Sequence, residues 1–249
     1  MTSRLTGSTA LVTGSTSGIG RAIAEALAQL DAHVIVSGRD PARGEDVVAG
    51  IRAAGGKADF ISADLSDSAG AHALAEQATA VTGRIDILVN NAGIYTFGPT
   101  TEFTDAAFDR MYNVNVKAPY VLVGDLAPGM AERGGGAIIN ITTGAAVKGL
   151  PSAGLYGSSK AAIDLLTKAW AAEFGPRGVR VNAVSPGPIH TAGTEAMGEG
   201  AIESFAEGLP AGRVGQPHEI ATAVAYLASD DASFVHGAIF SVDGGFTVI

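Results

Sequence analysis

Thr13-Gly14-Ser15-Thr16-Ser17-Gly18-Ile19-Gly20 follows a short β-branched apolar run at residues 9–13. It leads into a helical pattern from Arg21, with Ile19, Ile23, Leu27 and Leu30 on one face. Small residues after a strand let the backbone curl tightly, and the helix that follows presents unpaired N–H groups and a positive dipole end at one point. Such a point suits a phosphate. The plain structural alternative is a turn that merely joins strand to helix. A Walker loop is excluded because no Gly-Lys-Ser/Thr follows, and a serine-hydrolase elbow because Thr16 stands at the middle of Gly14-x-x-x-Gly18.

Working outward, similar apolar runs recur at residues 33–37, 58–62, 85–90, 137–142, 180–184 and 238–242, separated by stretches of helical spacing. Pro41 opens a second helix, at a position where its missing N–H costs nothing. This alternation predicts an α/β fold, a doubly wound seven-stranded parallel sheet with helices on both faces, since parallel neighbours need a crossover. The 249 residues read as one domain: the Gly/Pro-rich segments 134–136, 185–188 and 208–215 have loop length, and charge does not shift between halves. The least regular segment, about 192–212, reads as a lid.

Composition narrows the function. Lys plus Arg number 16 against 25 Asp plus Glu, a formal charge of -9, and no basic run exists, so a nucleic-acid partner is excluded. The absence of cysteine excludes a disulfide framework, a thiolate zinc site and a Cys nucleophile, and fits a reducing, cytoplasmic location. No stretch approaches the ~18 apolar residues of a membrane span, and the polar first ten residues lack a secretion signal's apolar core. The five histidines, His33, His72, His190, His218 and His236, have no metal-ligand spacing, so no metal is expected. Glycine is in excess, 34 residues, about twice the ~7 % average, and asks where the backbone must bend or let something approach.

In dinucleotide-binding units an acidic residue about 20 positions beyond the glycine turn receives the ribose 2′-hydroxyl, whereas an arginine there accommodates a 2′-phosphate. The second strand ends Ser37-Gly38-Arg39-Asp40, with Gly38 at the tip, Arg39 beside it and Arg43 one turn on. That favours NADP over NAD. Asp40 is either the N-cap of the helix opened by Pro41 or, with the register moved by two, the acidic residue that makes NAD the cofactor. Asp64 in Ala63-Asp64-Leu65 can accept from an adenine amine, or serve as a turn Asp. Asn90-Asn91-Ala92-Gly93 lies at the carboxyl end of the fourth strand, where open α/β sheets hold ligands.

Tyr156-Gly157-Ser158-Ser159-Lys160 opens a helix that continues through Ile163, Leu166 and Trp170, and a spacing of four puts phenol and ammonium on one face. A nearby ammonium favours phenolate and brings the tyrosine from ~10 toward neutrality, as a general acid or base requires. Alone, the pair is an ordinary helical one.

Together, residues 13–20, Asn90 to Gly93, Tyr156 with Lys160, Pro186-Gly187-Pro188-Ile189-His190-Thr191 and the Val242-Asp243-Gly244-Gly245 tail resemble the classical short-chain dehydrogenase/reductase family. The likeness runs from Thr6 to Gly245 and implies a single Rossmann domain, a nicotinamide cofactor and a homotetramer. Tyr156 resembles the family's proton donor to a carbonyl. Lys160 resembles the group that lowers its pKa and holds the nicotinamide ribose. Asn115, with Asn113 as the confusable neighbour, resembles the residue that positions a water beside the lysine. Thr191 resembles the hydroxyl near the carboxamide, with Pro186, Gly187 and Ile189 lining the ring. Gly14, Ser17, Gly18, Ile19, Gly20, Arg39, Asp64, Leu65, Asn91, Ala92 and Gly93 complete the cofactor set.

One position departs: the family's usual serine, thirteen residues before the tyrosine, is Thr143. Threonine keeps the hydroxyl donor and adds a methyl that narrows rotamers and crowds the pocket, so retained activity with altered substrate fit is expected. Thr142 or Ser152 are the alternatives for sharing the task. The expected substrate is a small or medium, mostly apolar carbonyl or alcohol, walled by Ile94, Tyr95, Ala145, Leu150, Pro188 and the lid. The competing readings are an NAD-dependent alcohol dehydrogenase, a 3-oxoacyl thioester reductase and a catalytically silent dinucleotide-binding sensor.

Overall fold

The structure, a computed structural model, describes residues 4–195, 198, 200 and 202–249. Seven strands, β1 (Thr9–Val12), β2 (His33–Gly38), β3 (Lys57–Ser62), β4 (Ile87–Asn90), β5 (Gly136–Ile141), β6 (Val179–Pro186) and β7 (Ile239–Val242), form one all-parallel sheet in the order β3-β2-β1-β4-β5-β6-β7. Every strand lies within two residues of its sequence-predicted bounds. The pattern was legible because parallel strands, buried on both faces, read as continuous apolar runs.

Successive side chains enter opposite cores, as a period of two demands. Ala10 and Val12 face the layer built by α1 (Gly18–Gln29), α2 (Pro41–Ala53) and α8 (Pro217–Ala228), where Ile23, Leu27, Val47, Ile51, Ile220 and Val224 are buried. Leu11 faces the layer of α3 (Ser68–Thr82), α5 (Ala118–Glu132) and α6 (Gly154–Phe174), with Leu74, Leu122 and Trp170. Register aligns Leu11 with Ile35 on one side and Leu88 on the other, and Leu88 with Ile138, a row of side chains shut off from solvent. Each contributes ~1.5–3 kcal/mol by leaving water.

Local signals begin two of the helices, the first of them as expected. Asp40 caps α2 by accepting from Arg43 N at 3.2 Å, with Pro41 as first residue, and Asp67 caps α3 by accepting from Gly70 N at 2.8 Å. The helix expected from Arg21 opens earlier, at Gly18. A Cβ on Gly20 would lie 2.3 Å from Gly14 O, so glycine lets the first turn close over the strand end.

Strand order reverses between β1 and β4, and the crevice beyond their carboxyl ends is the ligand position of this architecture. Between α4 (Asp105–Tyr112) and α5 the helix is interrupted by one π turn, Asn113–Lys117, a distortion that often marks a functional site. Of the lid segment 192–212, Ala192–Glu195 form one short helix, α7, and Glu203–Ala206 a 3₁₀ turn; residues 196, 197, 199 and 201 lie outside the described residues. Among the described residues no helix is long and apolar enough to cross a membrane.

Candidate active site

The glycine stretch is held by side chains of the chain itself. Ser15 Oγ donates to Val12 O at 2.7 Å and accepts from Ser37 N at 2.9 Å, which ties the loop to β2. Asn91 Nδ2 donates to Thr13 O at 2.9 Å and Gly14 O at 3.0 Å, so this amide braces the loop from β4. Gly14 and Gly18 have φ of 63° and 54°, the left-handed region that disfavours a side chain. A Cβ on Gly14 would lie 2.8 Å from Ala92 Cα, and one on Gly18 would lie 3.3 Å from Thr191 Cγ2. Ser17 is the N-cap of α1 but makes no capping bond, and no acidic residue stands in the first turn. The α1 N-terminus therefore offers its N–H groups outward.

At the tip of β2, a Cβ on Gly38 would lie 2.6 Å from Thr16 Cγ2. Arg39 is exposed and makes no hydrogen bond or ion pair among the described residues, whereas Arg43 is bound to Asp40 at 2.9 Å. Asp40 is thus engaged as cap and ion-pair partner. Asp64 is exposed and accepts from Ser66 N at 3.0 Å as a turn Asp, beside a separate depression at the end of β3. Leu65, expected at the cofactor, buries its side chain in the core because the chain turns inward there toward α3.

The chemistry-bearing side chains come from the carboxyl end of β5 and the first turns of α6. Thr143, Tyr156 and Lys160 line one cavity of about 590 Å³. The Thr143 hydroxyl reaches Tyr156 and counters the upward effect of burial, which nonetheless pushes the phenol up to about 12. Lys160, 5 % exposed, donates to Ile141 O at 2.8 Å, and burial pulls its ammonium down to about 8 with Asp164 opposing. The sequence expectation that Lys160 draws the phenol toward neutrality is therefore corrected. In the protein alone burial governs the phenol, and the lysine spends a proton on Ile141 O.

Asn115, fully buried in the π turn, accepts from Ile94 N at 2.8 Å and donates to Ile94 O at 2.9 Å and Ser159 Oγ at 3.0 Å. It bolts the chain after β4 to α6, one residue from Lys160. Gly93 sits between the two: its absent Cβ would lie 3.2 Å from Lys160 Nζ and 3.4 Å from Asn115 Oδ1. Asp164, one turn beyond Lys160, has a buried carboxylate with no well-formed hydrogen bond, and the Thr142 hydroxyl is its polar neighbour. Burial pushes that carboxyl up.

The cavity also gathers Ile19, Asn91, Gly93, Tyr95, Ala145, Leu150, Pro186, Gly187, Pro188, Ile189 and Thr191, all expected from the sequence. The Thr191 hydroxyl accepts from Thr194 N at 3.1 Å and so caps the lid helix. Ile94 is absent from the lining, because its backbone is held by Asn115 and the next residues turn the wall over to Tyr95 and Phe97. Tyr95, Phe97 and Tyr156 pack mutually with centroids 5.9–6.1 Å apart. Ser152, with φ 67°, is exposed and outside the lining; its carbonyl accepts from Gly98 N at 2.9 Å and joins the two wall loops. Thr142 lines the cavity, so of the two hydroxyls considered beside Thr143 only this one is present. Phe205 comes from the lid expected to wall the pocket, whereas sequence reading missed Phe97 and Phe246. Phe97 carried a signal, an aromatic two residues beyond Tyr95, but nothing local pointed to Phe246. Among the described residues no group of three or more His, Asp or Glu is placed to hold a metal ion.

A family model described as Enoyl-(Acyl carrier protein) reductase matches residues 14–247. An uncharacterised oxidoreductase of Methylorubrum extorquens is 42% identical, over 98% of this chain and 99% of the relative. A 7alpha-hydroxysteroid dehydrogenase of Clostridium sardiniense is 39% identical, over 98% of this chain and 95% of its own. Among solved structures, a protein described as an NAD(P) dependent gluconate 5-dehydrogenase from Beutenbergia cavernae, with NADP bound at low occupancy, superposes with a TM-score of 0.94 at 40% identity and 99% coverage of both chains. The glycine turn, the Tyr156–Lys160 helix and a match over almost the whole length make this chain a member of the classical short-chain dehydrogenase/reductase family of oxidoreductases.

Proposed function

We propose that the protein interconverts a neutral, mostly apolar ketone or aldehyde and its alcohol with NADP(H). The observation that carries this reading is the cavity itself: Thr143 and Tyr156 turn two hydroxyls into it, and Lys160 is the one charged side chain among its described lining residues. A sugar acid or polyol needs charged or polar partners along its length, and leaving such groups unpaired on burial costs ~1–3 kcal/mol each. These walls, Tyr95, Phe97, Leu150, Ile202, Phe205 and Phe246, suit a hydrocarbon or aryl body instead.

The residues present fit a dinucleotide: the glycine turn packs too closely on Ala92, Thr191 and its own backbone to admit any Cβ and leaves the start of α1 without a side-chain cap, and Arg39 is an unpaired cation among the described residues at the position that distinguishes a 2′-phosphate from a 2′-hydroxyl. Gly14, Ser17, Gly18, Ile19 and Gly20 would hold the pyrophosphate, Asp64 and only the backbone of Leu65 would border the adenine, and Asn91, Ala92, Gly93, Pro186, Gly187, Ile189 and Thr191 would border the nicotinamide end. A bound dihydronicotinamide supplies a hydride. The chain's own work is at the carbonyl oxygen. Thr143 and Tyr156 bond it, and both bonds strengthen as negative charge develops there, so they act on the transition state. Tyr156, kept protonated by burial, delivers its proton to that oxygen; the Lys160 ammonium stands behind it to return a proton and is itself reprotonated from solvent, while Asn115, bonded to Ile94 and Ser159, holds the lysine's surroundings in place. A phenol held near 12 is a donor at neutral pH and needs a positive neighbour before it serves as a base for alcohol oxidation.

Against a carrier-linked acyl thioester stands the charge near the lid. Arg213 is engaged with Glu219 at 2.6 and 2.8 Å, and Glu195, Glu203 and Glu207 add negative charge where an acidic carrier would dock. A homotetramer is supported by the exposed apolar side chains Phe108, Tyr120 and Leu165 on α4, α5 and α6. A cytoplasmic location is the companion reading from the lack of cysteine.

The test is steady-state turnover on a panel of aryl ketones, alicyclic ketones, keto sugar acids, polyols, and acetoacetyl and crotonyl thioesters, with NADPH and NADH in parallel. The neutral apolar ketones should give the highest kcat/KM, with NADPH ahead of NADH. Arg39→Ala should weaken NADPH binding by about 10- to 150-fold, the loss of one charge-assisted bond, and leave NADH unchanged. A keto sugar acid as best substrate, or NADH as better cofactor, overturns the reading.

A further inference from the structure

Phe246 lies beyond the last strand, in residues 244–249, and its ring lines the cavity against Gly144, the residue next to Thr143; a Cβ on Gly144 would lie 2.6 Å from Phe246 Cδ1. Little apolar burial holds this segment, since Val248 and Ile249 are exposed. Polar contacts hold it instead. Lys148 Nζ donates to Phe246 O at 3.1 Å and to Ile249 O at 2.7 Å, and lies 4.8 Å from the Phe246 ring centroid, within cation–π range. At the other end the Asp243 carboxylate accepts from Gly245 N at 2.9 Å, Thr247 N at 3.0 Å and Thr247 Oγ1 at 2.6 Å. Lys148 itself is fixed to the Thr143 turn, donating from its N–H to Gly144 O at 3.0 Å. One short segment, residues 143–148, therefore carries both the substrate-facing hydroxyl and the strap on the wall beside it.

We propose that Lys148 fastens residues 244–249 so that Phe246 forms a fixed wall of the substrate pocket, with Phe246 the specificity-determining residue and Lys148 its positioning residue. The wall is apolar and aromatic, and it stands beside the hydroxyl that bonds the carbonyl oxygen. It limits the size of the hydrocarbon or aryl group attached at the carbonyl carbon. Lys148 touches neither oxygen nor cofactor. Its loss frees the wall without removing a reacting group.

The inference rests on the carbonyl reading for its kinetic arm only. In the first arm, amide hydrogen exchange of the cofactor-free full chain is compared between wild type, Lys148→Met and Lys148→Arg. The strap predicts exchange in residues 244–249 faster by about tenfold or more in the methionine variant, with arginine restoring protection because it can donate to both carbonyls and stack on the ring. In the second arm, KM and kcat with NADPH are measured for a small and a bulky aryl ketone. Lys148→Met should lower KM for the bulky ketone relative to the small one by about tenfold with kcat near wild type, and Phe246→Ala should shift the bulky-to-small ratio of kcat/KM upward by a similar factor. Unchanged exchange in Lys148→Met overturns the strap. An unchanged ratio in Phe246→Ala overturns the specificity role. If wild type turns over no carbonyl, the functional reading fails, and the exchange arm still decides whether the strap exists.

Discussion

Replacing Asn115 by Ala tests how the site is assembled. The side chain makes three bonds in a fully buried position, accepting from Ile94 N at 2.8 Å and donating to Ile94 O at 2.9 Å and Ser159 Oγ at 3.0 Å. At a net ~0.5–1.5 kcal/mol per bond the loss totals about 3 kcal/mol, and more where Ile94's backbone groups stay unpaired. For a chain of this length about 2–4 °C of melting temperature accompanies each kcal/mol, so the midpoint should fall by about 6–12 °C. Asn115→Asp should fare worse: it keeps the acceptor for Ile94 N but loses both donors and buries a carboxylate oxygen against Ile94 O, a cost that the Lys160 ammonium across Gly93 offsets only in part. Calorimetry or circular dichroism without cofactor supplies the midpoints. A fall of less than about 2 °C in the alanine variant would refute the reasoning, because the three bonds would then contribute almost nothing net.

Two further outcomes follow from the same geometry. Thr143→Val removes the hydroxyl at constant shape and should lower kcat by about 10²–10³, as loss of one oxyanion donor does, whereas Thr143→Ser should keep kcat and improve bulkier ketones; equal activity of the valine variant would remove Thr143 from the site. Lys160 has its folded pKa depressed from 10.5 to about 8, so the folded protein binds fewer protons than the unfolded chain between those values, and stability rises with pH across that window. Wild type should therefore gain on Lys160→Met as pH increases from 8 to 10, by up to about 1.4 kcal/mol per pH unit; a flat difference would contradict a buried, titrating ammonium.

The sheet was legible because its strands are buried on both faces, so the runs around Leu11, Ile35, Leu88 and Ile138 announce themselves without any partner information. The core of the site was legible for a different reason. Tyr156 and Lys160 are one helical turn apart, and the glycine turn is continuous in sequence, so local spacing places both. What stayed hidden depends on contacts distant in the chain. Phe246 reaches the cavity through Lys148, 98 residues earlier, and no periodicity encodes that meeting. Ile94 was misplaced because alternation says nothing about Asn115 capturing its backbone 21 residues on. Asp164 sits on the same helix face as Tyr156 and Lys160, a spacing visible in the sequence, but its burial without a well-formed bond emerges only when β5 brings Thr142 against it.

The central claim, proton delivery by Tyr156 to a neutral apolar carbonyl in an NADPH-dependent reaction, is tested most directly by one paired measurement. NADPH consumption with the best ketone of the panel is followed in wild type and Tyr156→Phe, with NADPH affinity of both taken from fluorescence titration. The account predicts a fall in kcat of about 10²–10⁴ with NADPH affinity within about twofold, since general acid catalysis is lost and the cofactor's glycine cradle is untouched. Near-wild-type turnover by Tyr156→Phe at equal cofactor affinity would contradict it.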